Sequence, residues 1–231
     1  MPPTHINPAA QALLNQAIQA LGGPAFLDAR TLSTTGRAFS IQDGVTEGFV
    51  HYESAQEFPD KRRLSYGFGK HKAVTLINVG GDGWEIDRYG LIDQSSRRIR
   101  QWQLANRYSL ENVLQRLIHE PGTLVQNGGQ DFVNNQPTSV VDILDARQVD
   151  VKLYLDMQTH LPIQIEYRLL NPKTQEQDEY RDVYADYQRV QGVETPMHLV
   201  RYVNGERVAE TFRFTARYNE SYPANAFQPS G

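Results

Sequence analysis

The sequence predicts a mainly β protein with some α-helix. We expect a single curved antiparallel sheet, an unclosed half-barrel of about 10–11 strands, with two or three amphipathic helices covering its concave face. From Leu32 to Tyr218, apolar residues alternate with polar ones in many segments, which is the period of half-buried strands. Short turns link these segments, so strands adjacent in sequence are expected to pair. That many twisted strands cannot stay flat and must curl, close or split.

The first predicted element is a helix. Asn7 is a favoured N-cap residue, and Pro8 suits the first helical position. Gly22-Gly23 ends the helix. Apolar residues at helical spacing form one stripe along it: Ala10, Leu13, Leu14, Ala17, Ile18 and Leu21. This stripe indicates a helix that packs one face against the sheet.

The next elements are strands, and two further helices follow them. Strands are predicted at 32–42, 45–58, 61–69, 72–79 and 84–88. Residues 95–107 are predicted to be helical, with Ile99 and Trp102 on one side. A second helix begins after Ser109, a favoured N-cap residue. Its apolar stripe comprises Leu110, Val113, Leu114, Leu117 and Ile118.

The remainder of the chain returns to strands. They are predicted at 131–133, 138–145, 149–155, 163–169, 179–190, 195–203 and 206–218. Asn204-Gly205 is the clearest hairpin turn. In the last strand, alternation places Phe212 and Phe214 on one face and Arg213 on the other. No linker interrupts the pattern, so we expect one domain over residues 7–220, with flexible ends at 1–6 and 221–231.

Composition and motifs argue against several classes of protein. A net charge of −4 does not fit nucleic-acid binding, and no apolar stretch reaches the roughly 18 residues of a transmembrane helix. Without cysteine, the chain forms no disulfide and has no thiol nucleophile. The six histidines show no metal-ligand spacing, and no serine-nucleophile motif is present. We therefore expect no catalytic residues, no metal and no cofactor, so the protein is predicted not to be an enzyme.

Two basic clusters, 61–63 and 97–100, allow two interpretations. They either contact anionic headgroups or an acidic partner, or they are solvated surface faces. The first residues, Met1-Pro-Pro, lack the basic and apolar regions of a secretory signal. The residues alone therefore do not decide between a cytoplasmic protein and an exported protein whose leader has been removed.

Six phrases of the sequence form a recognisable set: Ala20-Leu-Gly-Gly, Val151-Lys-Leu-Tyr-Leu-Asp, Leu161-Pro-Ile-Gln-Ile-Glu-Tyr-Arg, Val183-Tyr-Ala-Asp-Tyr, Gly192-Val-Glu-Thr-Pro and Asn204-Gly-Glu. Together they resemble the LolA/LolB-like superfamily of outer-membrane lipoprotein-sorting proteins. The resemblance spans most of residues 17–219. It implies a periplasmic protein with an unclosed barrel, helices in the barrel's mouth, and acyl chains of lipids or lipoproteins bound in an apolar cavity.

The helical stripes are the obvious cover for the concave face, and they predict a lid. We assign the lid to Leu13, Leu14, Ile18, Leu114 and Leu117. The ligand-binding cavity lining is predicted to comprise Leu153, Leu155, Ile163, Ile165, Phe212 and Phe214. Trp84 and Trp102 are expected at the rim, where one side is wet and the other apolar. If the concave side is hollow, the protein is a carrier of lipid or lipoprotein acyl chains. The alternative is a non-catalytic envelope sensor or interaction module with envelope protein partners.

Overall fold

A computed structural model describes residues 3–67, 74–171 and 174–229 of the chain. Its α-helices are α1 (Pro8–Leu21), α2 (Pro24–Leu27), α3 (Ser96–Arg107) and α4 (Leu110–Gln115), and a 3-10 turn at Leu117–His119 follows α4. The strands ahead of α3 are β1 (His5–Ile6), β2 (Thr31–Gln42), β3 (Val45–Glu57), β4 (Lys61–Gly67), β5 (Val74–Val79), β6 (Asp82–Asp87) and β7 (Gly90–Asp93). The later strands are β8 (Leu124–Val133), β9 (Gln136–Leu144), β10 (Asp150–Asp156), β11 (Pro162–Leu170), β12 (Gln177–Val190), β13 (Val193–Val203) and β14 (Glu206–Tyr218).

One sheet contains all of these strands, and it does not close. The order across it is β1-β8-β9-β10-β11-β12-β13-β14-β2-β3-β4-β5-β6-β7, so β1 and β7 are its edges. Strand β1 runs parallel to β8, whereas the other described neighbours are antiparallel. The predicted fold class, a mainly β half-barrel with helices, is confirmed.

The strand count differs from the prediction. The described residues form 14 strands rather than 10 or 11. Strands β1 and β7 have only two and four residues, too few to show an alternating pattern. Strand β8 begins at Leu124, seven residues before the predicted start. The prediction missed these residues because the polar segment 126–130 hides the alternation. Residues 68, 69, 72 and 73 of the predicted strands lie outside the described residues.

Residues near both ends of the chain contact the sheet, although the sequence placed them in flexible ends. His5 and Ile6 pair with the start of β8. At the other end, the Tyr222 hydroxyl lies 2.8 Å from Ser33 Oγ, and the Tyr222 ring packs edge-on against Phe227. The domain bounds 7–220 stay a prediction.

Helix α1 forms for the reasons that the sequence suggests. The Asn7 side chain accepts hydrogen bonds from the Ala9 and Ala10 N–H groups at 2.9 and 3.4 Å, and Pro8 occupies the first turn. Its buried stripe, with each residue 0% exposed, is Ala10, Leu14, Ala17 and Leu21. None of the helices in the described ranges has the length and hydropathy of a membrane-spanning segment.

A glycine lets the end of α1 meet the turn between β12 and β13. Gly22 has a φ of 122°, which residues with a side chain rarely adopt. A Cβ atom at this position would lie 2.2 Å from the Gly192 carbonyl oxygen. This contact explains why glycine stands in the Ala20-Leu-Gly-Gly phrase.

Replacing Gly22 with alanine is expected to lower the free energy of unfolding by about 2–4 kcal/mol, because backbone strain and overpacking act together. Urea unfolding followed by circular dichroism measures the change. Gly48→Ala is the matched control, since a Cβ there meets nothing within 4 Å. We expect the control to leave stability within about 0.5 kcal/mol. Equal midpoints for the two variants would contradict the assigned contact.

The helices fill one half of the concave side of the sheet. The helices and the 3-10 turn pack on strands β8–β13, and one apolar core joins the two layers. The Tyr108 ring at the start of α4 lies 4.4 Å, centroid to centroid, from the Tyr167 ring of β11. Core residues exposed by no more than 1% include Leu14, Leu114, Leu117, Ile143, Leu153, Leu155 and Ile165. This half of the half-barrel is therefore a filled core.

Candidate functional site

The other half of the concave side encloses a cavity of about 510 Å³. Its walls come from β2, β3 and β4 on one side and from β12, β13 and β14 on the other, with α3 and the start of α4 over it. The lining is more apolar than polar. Its size lies within the roughly 300–1,000 Å³ of small-molecule sites. We call this space the concave cavity.

The first wall follows directly from strand alternation. Residues two apart on a strand share a face, and Arg62, Leu64 and Tyr66 of β4 all line the concave cavity. On β3, Tyr52 and Ser54 do the same. Burial raises the pKa of the Tyr52 hydroxyl, against the opposing effect of the nearby Arg213 guanidinium. Tyr52 is therefore a neutral wall residue at physiological pH.

The opposite wall contains a bidentate ion pair. The Arg201 Nε and Nη2 atoms donate to the two Asp182 carboxylate oxygens at 2.6 and 2.5 Å. Burial lowers the pKa of Arg201, but the Asp182 carboxylate outweighs this effect, and the net shift is upward. The Arg201 guanidinium is therefore cationic and hydrogen-bonded on two sides to the Asp182 carboxylate.

Arg62 faces this ion pair from the first wall, and it has no comparable partner. Its Nη2 atom donates to Asn78 Oδ1 at 3.0 Å, while its Nε atom is buried without a hydrogen-bond partner. No ion pair within the described residues includes Arg62. Burial and the like charge of Arg201 lower the pKa of Arg62 to about 10. The guanidinium is still cationic at neutral pH.

The hydrogen bond to Arg62 is held in place from behind. Asn78 is fully buried, and its Nδ2 atom donates to Gln94 Oε1 at 3.0 Å. Gln94 in turn donates to the Trp84 carbonyl oxygen at 2.8 Å. On another side, the Trp102 ring centroid lies 5.9 Å from Arg62 Cζ, within cation–π range. Arg62 is thus fixed at one end of the concave cavity.

The remaining charged wall residues are Arg213 and Glu111. The Arg213 Nη1 atom donates to the Pro196 carbonyl oxygen at 3.0 Å. Glu111 lies in the first turn of α4 and is 8% exposed. The wall therefore carries three guanidiniums and two carboxylates, an excess of one positive charge.

The arrangement of these wall residues suits the binding of a ligand. Three or more His, Asp or Glu side chains that could share a metal ion do not converge anywhere in residues 3–67, 74–171 and 174–229. An apolar wall with a cationic end can accept a molecule that has an apolar body and a negative group.

The six residues predicted to line the cavity lie elsewhere. Leu153, Leu155 and Ile165 belong to the filled core on β10 and β11. Ile163 packs on a small second cluster formed by Val133, Val140 and Tyr154. Phe212 stacks on His198 at 4.1 Å, and Phe214 is 53% exposed. The helices cover the part of the sheet to which Leu153, Leu155 and Ile165 belong. A register shift between β10 and β11 at Tyr154 and Leu155 accompanies the separate placement of Ile163. The assignment of the six residues to a bound ligand stays a prediction.

A bulge in β14 explains the placement of the two phenylalanines. The pairing register between β14 and β2 shifts between Arg213 and Thr215, so Phe214 is an extra residue. An extra residue exchanges the two faces of a strand. Before the bulge Arg213 lines the concave cavity, and after it Ala216 and Tyr218 join the core. Unbroken alternation, as assumed from the sequence, placed Phe212 on the face of Tyr218.

The predicted lid residues also lie outside the concave cavity. Leu14, Leu114 and Leu117 are core residues, Leu13 packs against the core, and Ile18 is partly buried. The cover over the cavity comes instead from α3, where Trp102 and Asn106 line it, and from Leu110 at the start of α4. Of the two tryptophans expected at the rim, Trp102 lines the cavity and Trp84 does not.

Sequence reasoning missed the charged wall, although signals for it existed. The 61–63 cluster was interpreted as a whole, yet alternation along β4 separates Arg62 from its two basic neighbours. Asp182 and Tyr184 are two residues apart, and both line the cavity. The pairing of Asp182 with Arg201 needed the register of β12 against β13, where these two residues are directly opposite.

No protein-family model and no curated protein sequence matches the chain. Solved structures do match. A domain named for outer membrane lipoprotein sorting, from Vibrio parahaemolyticus, is 13% identical with a TM-score of 0.58, covering 95% of this chain and 97% of its own. A LolA superfamily protein from Nitrosomonas europaea is 13% identical with a TM-score of 0.57 over the same shares. A DUF1329 family protein from Desulfovibrio piger is 10% identical with a TM-score of 0.64, covering 99% and 98%. The chain therefore has the LolA-like fold that the sequence resemblance implied.

Proposed function

We propose that this protein is a lipid- or lipoprotein-binding carrier of the periplasm that holds an acyl chain in the concave cavity. The observation that carries the proposal is the cavity itself, about 510 Å³ with a mainly apolar wall, between the unfilled half of the sheet and α3. The LolA-like fold and the lipoprotein-sorting name of one structural neighbour support the class of ligand and the envelope location.

The driving force for binding is removal of the acyl chain from water. Each buried methylene contributes about 0.8 kcal/mol, so a dozen contribute on the order of 10 kcal/mol. The loss of translational and conformational freedom opposes this gain. The cavity is formed by the fold itself, and a preformed site lowers that cost. No covalent step is involved, so the carrier releases what it binds unchanged.

Filling the concave cavity tests the proposal. Ala209 of β14 lines the cavity and is partly buried, so Ala209→Phe places a ring in the space of the chain. We expect this variant to bind tetradecanoate at least tenfold more weakly than the unsubstituted protein. Displacement of a fluorescent fatty acid gives the affinity, and native mass spectrometry gives the stoichiometry.

The neighbouring residue provides the matched control. Val208 is 37% exposed and does not line the cavity, so Val208→Phe adds a ring outside it. We expect its affinity to equal that of the unsubstituted protein. A protein that takes up no single-chain or lipoprotein ligand, or an Ala209→Phe variant that binds as well as the control, would overturn the proposed function.

A further inference from the structure

We propose that the concave cavity selects a single acyl chain with a free carboxylate, a long-chain fatty acid, and that Arg62 binds the carboxylate. This inference rests on the proposed function and names the ligand class of the same site. Arg62 would be the ligand-binding residue for the head, and the apolar wall would hold the chain.

The first argument is the unbalanced charge of Arg62. An arginine side chain has five N–H donors, and the structure pairs one of them, from Nη2 to Asn78. The three wall guanidiniums differ in this respect. Asp182 already neutralises Arg201 through two hydrogen bonds. Arg213 donates to the Pro196 carbonyl oxygen, whereas among the described residues Arg62 retains a buried Nε atom without a hydrogen-bond partner. Buried charges are normally paired. A carboxylate beside Arg62 supplies the missing partner, and a guanidinium binds such a group through two parallel hydrogen bonds.

The second argument is the position of Arg62 on the wall. Asn78 and the Trp102 ring hold the guanidinium at the α3 end of the cavity. On the wall of β2, β3 and β4, Arg62 is in register with Gln56 and Leu32, at the end of these strands away from the β2–β3 turn. Ser40 and Val50 line the cavity near that turn, and Ser40 is exposed. A bound chain therefore extends along the strands from a head at Arg62 towards the hairpin.

The third argument is size. One water accounts for about 30 Å³ of liquid, and a methylene group is similar in size. The concave cavity of about 510 Å³ then holds on the order of 17 such groups. This number of groups corresponds to one chain of about 14–16 carbons with its carboxylate. The volume of the concave cavity therefore suits one such chain.

The test compares two ligands of equal chain length on three proteins. Tetradecanoate and tetradecanol are titrated into the unsubstituted protein, Arg62→Met and Arg63→Met, with displacement of a neutral fluorescent lipid as the signal. Methionine retains the apolar stem of the side chain and removes the charge. Arg63 is the matched control because it is adjacent on β4 and does not line the cavity.

We expect the unsubstituted protein and Arg63→Met to bind tetradecanoate at least tenfold more tightly than tetradecanol. Arg62→Met should bind both ligands equally, with the affinity for the alcohol unchanged. Equal binding of acid and alcohol by the unsubstituted protein, or a preference that survives in Arg62→Met, refutes the carboxylate site and leaves the proposed carrier function standing.

Two further outcomes separate the remaining possibilities. Binding of neither single-chain ligand refutes the inference, and uptake of a triacylated lipopeptide in the same assay would then retain the carrier function. Failure to take up the lipopeptide as well refutes both. If Arg62→Met does not fold, the comparison of acid with alcohol on the unsubstituted protein decides alone.

Discussion

Replacing Asp145 with alanine is expected to lower the free energy of unfolding by about 3–5 kcal/mol, the cost of removing one partner from a buried ion pair. Asp145 is 0% exposed. Its Oδ2 atom accepts hydrogen bonds from the Tyr108 hydroxyl and the Arg107 Nη2 atom, both at 3.0 Å. Its Oδ1 atom accepts from the N–H groups of Arg147 and Val149 at 2.8 and 2.9 Å. The Arg107 Nε atom also donates to Oδ2, at 3.2 Å, so alanine leaves five donors without this acceptor.

The pKa values of the partners agree with a strong network. Burial lowers the pKa of Arg107, but hydrogen bonds to Glu120 and Asp145 outweigh it, so the pKa is raised. Burial and the Asp145 carboxylate raise the pKa of the Tyr108 hydroxyl. Loss of Asp145 therefore leaves the Tyr108 hydroxyl and the Arg107 guanidinium buried without this partner. Arg107 still donates to Glu120 at 2.6 Å.

Urea unfolding measured by tryptophan fluorescence and circular dichroism checks this expectation. Asp150→Ala is the control, because Asp150 is exposed and only five residues away. Its effect should lie within about 0.5 kcal/mol. Since a domain is stable by about 5–15 kcal/mol, the Asp145 variant should unfold at a clearly lower urea concentration. A midpoint equal to that of the control would show that this network does not stabilise the fold.

The fold was predictable because its signals are local. The Asn7 cap and Gly22-Gly23 mark α1, and the Asn204-Gly205 turn marks the hairpin of β13 and β14. Side-chain alternation then identifies most strands. The short edge strands β1 and β7 were missed because two and four residues show no alternation, and β1 in addition pairs with a distant segment. That segment is β8, more than a hundred residues away.

The site was less predictable because it depends on which half of the sheet the helices fill. The apolar stripes of α1 and α4 indicate burial, but a stripe does not specify the strands that it covers. Strands β10 and β11 are rich in aliphatic residues, so they were assigned to a cavity when they are the surface on which the helices pack. The bulge at Phe214 then reversed the faces of β14, and single-sequence alternation cannot locate a bulge.

The substitution Leu153→Ala tests whether β10 lines a ligand cavity or belongs to the core under the helices. Leu153 is 0% exposed and lies between Val141 of β9 and Ile165 of β11, each of them also 0% exposed. The substitution removes buried methyl groups and leaves a void. Strand β10 cannot move to close this void because it is hydrogen-bonded to β9 on one side and β11 on the other. We expect a loss of about 3–5 kcal/mol in unfolding free energy, with tetradecanoate affinity unchanged in the folded protein because Leu153 does not line the concave cavity.

Leu170→Ala is the matched control, since it makes the same substitution at a leucine that is 60% exposed. Its stability should change by less than about 0.5 kcal/mol. Binding is measured for both variants by displacement of a fluorescent fatty acid, under conditions where each is folded. If Leu153→Ala retains its stability and loses its affinity, the acyl chain lies on β10, as the sequence alone suggested. If it loses stability and retains affinity, β10 belongs to the core and the chain lies between α3 and the other half of the sheet.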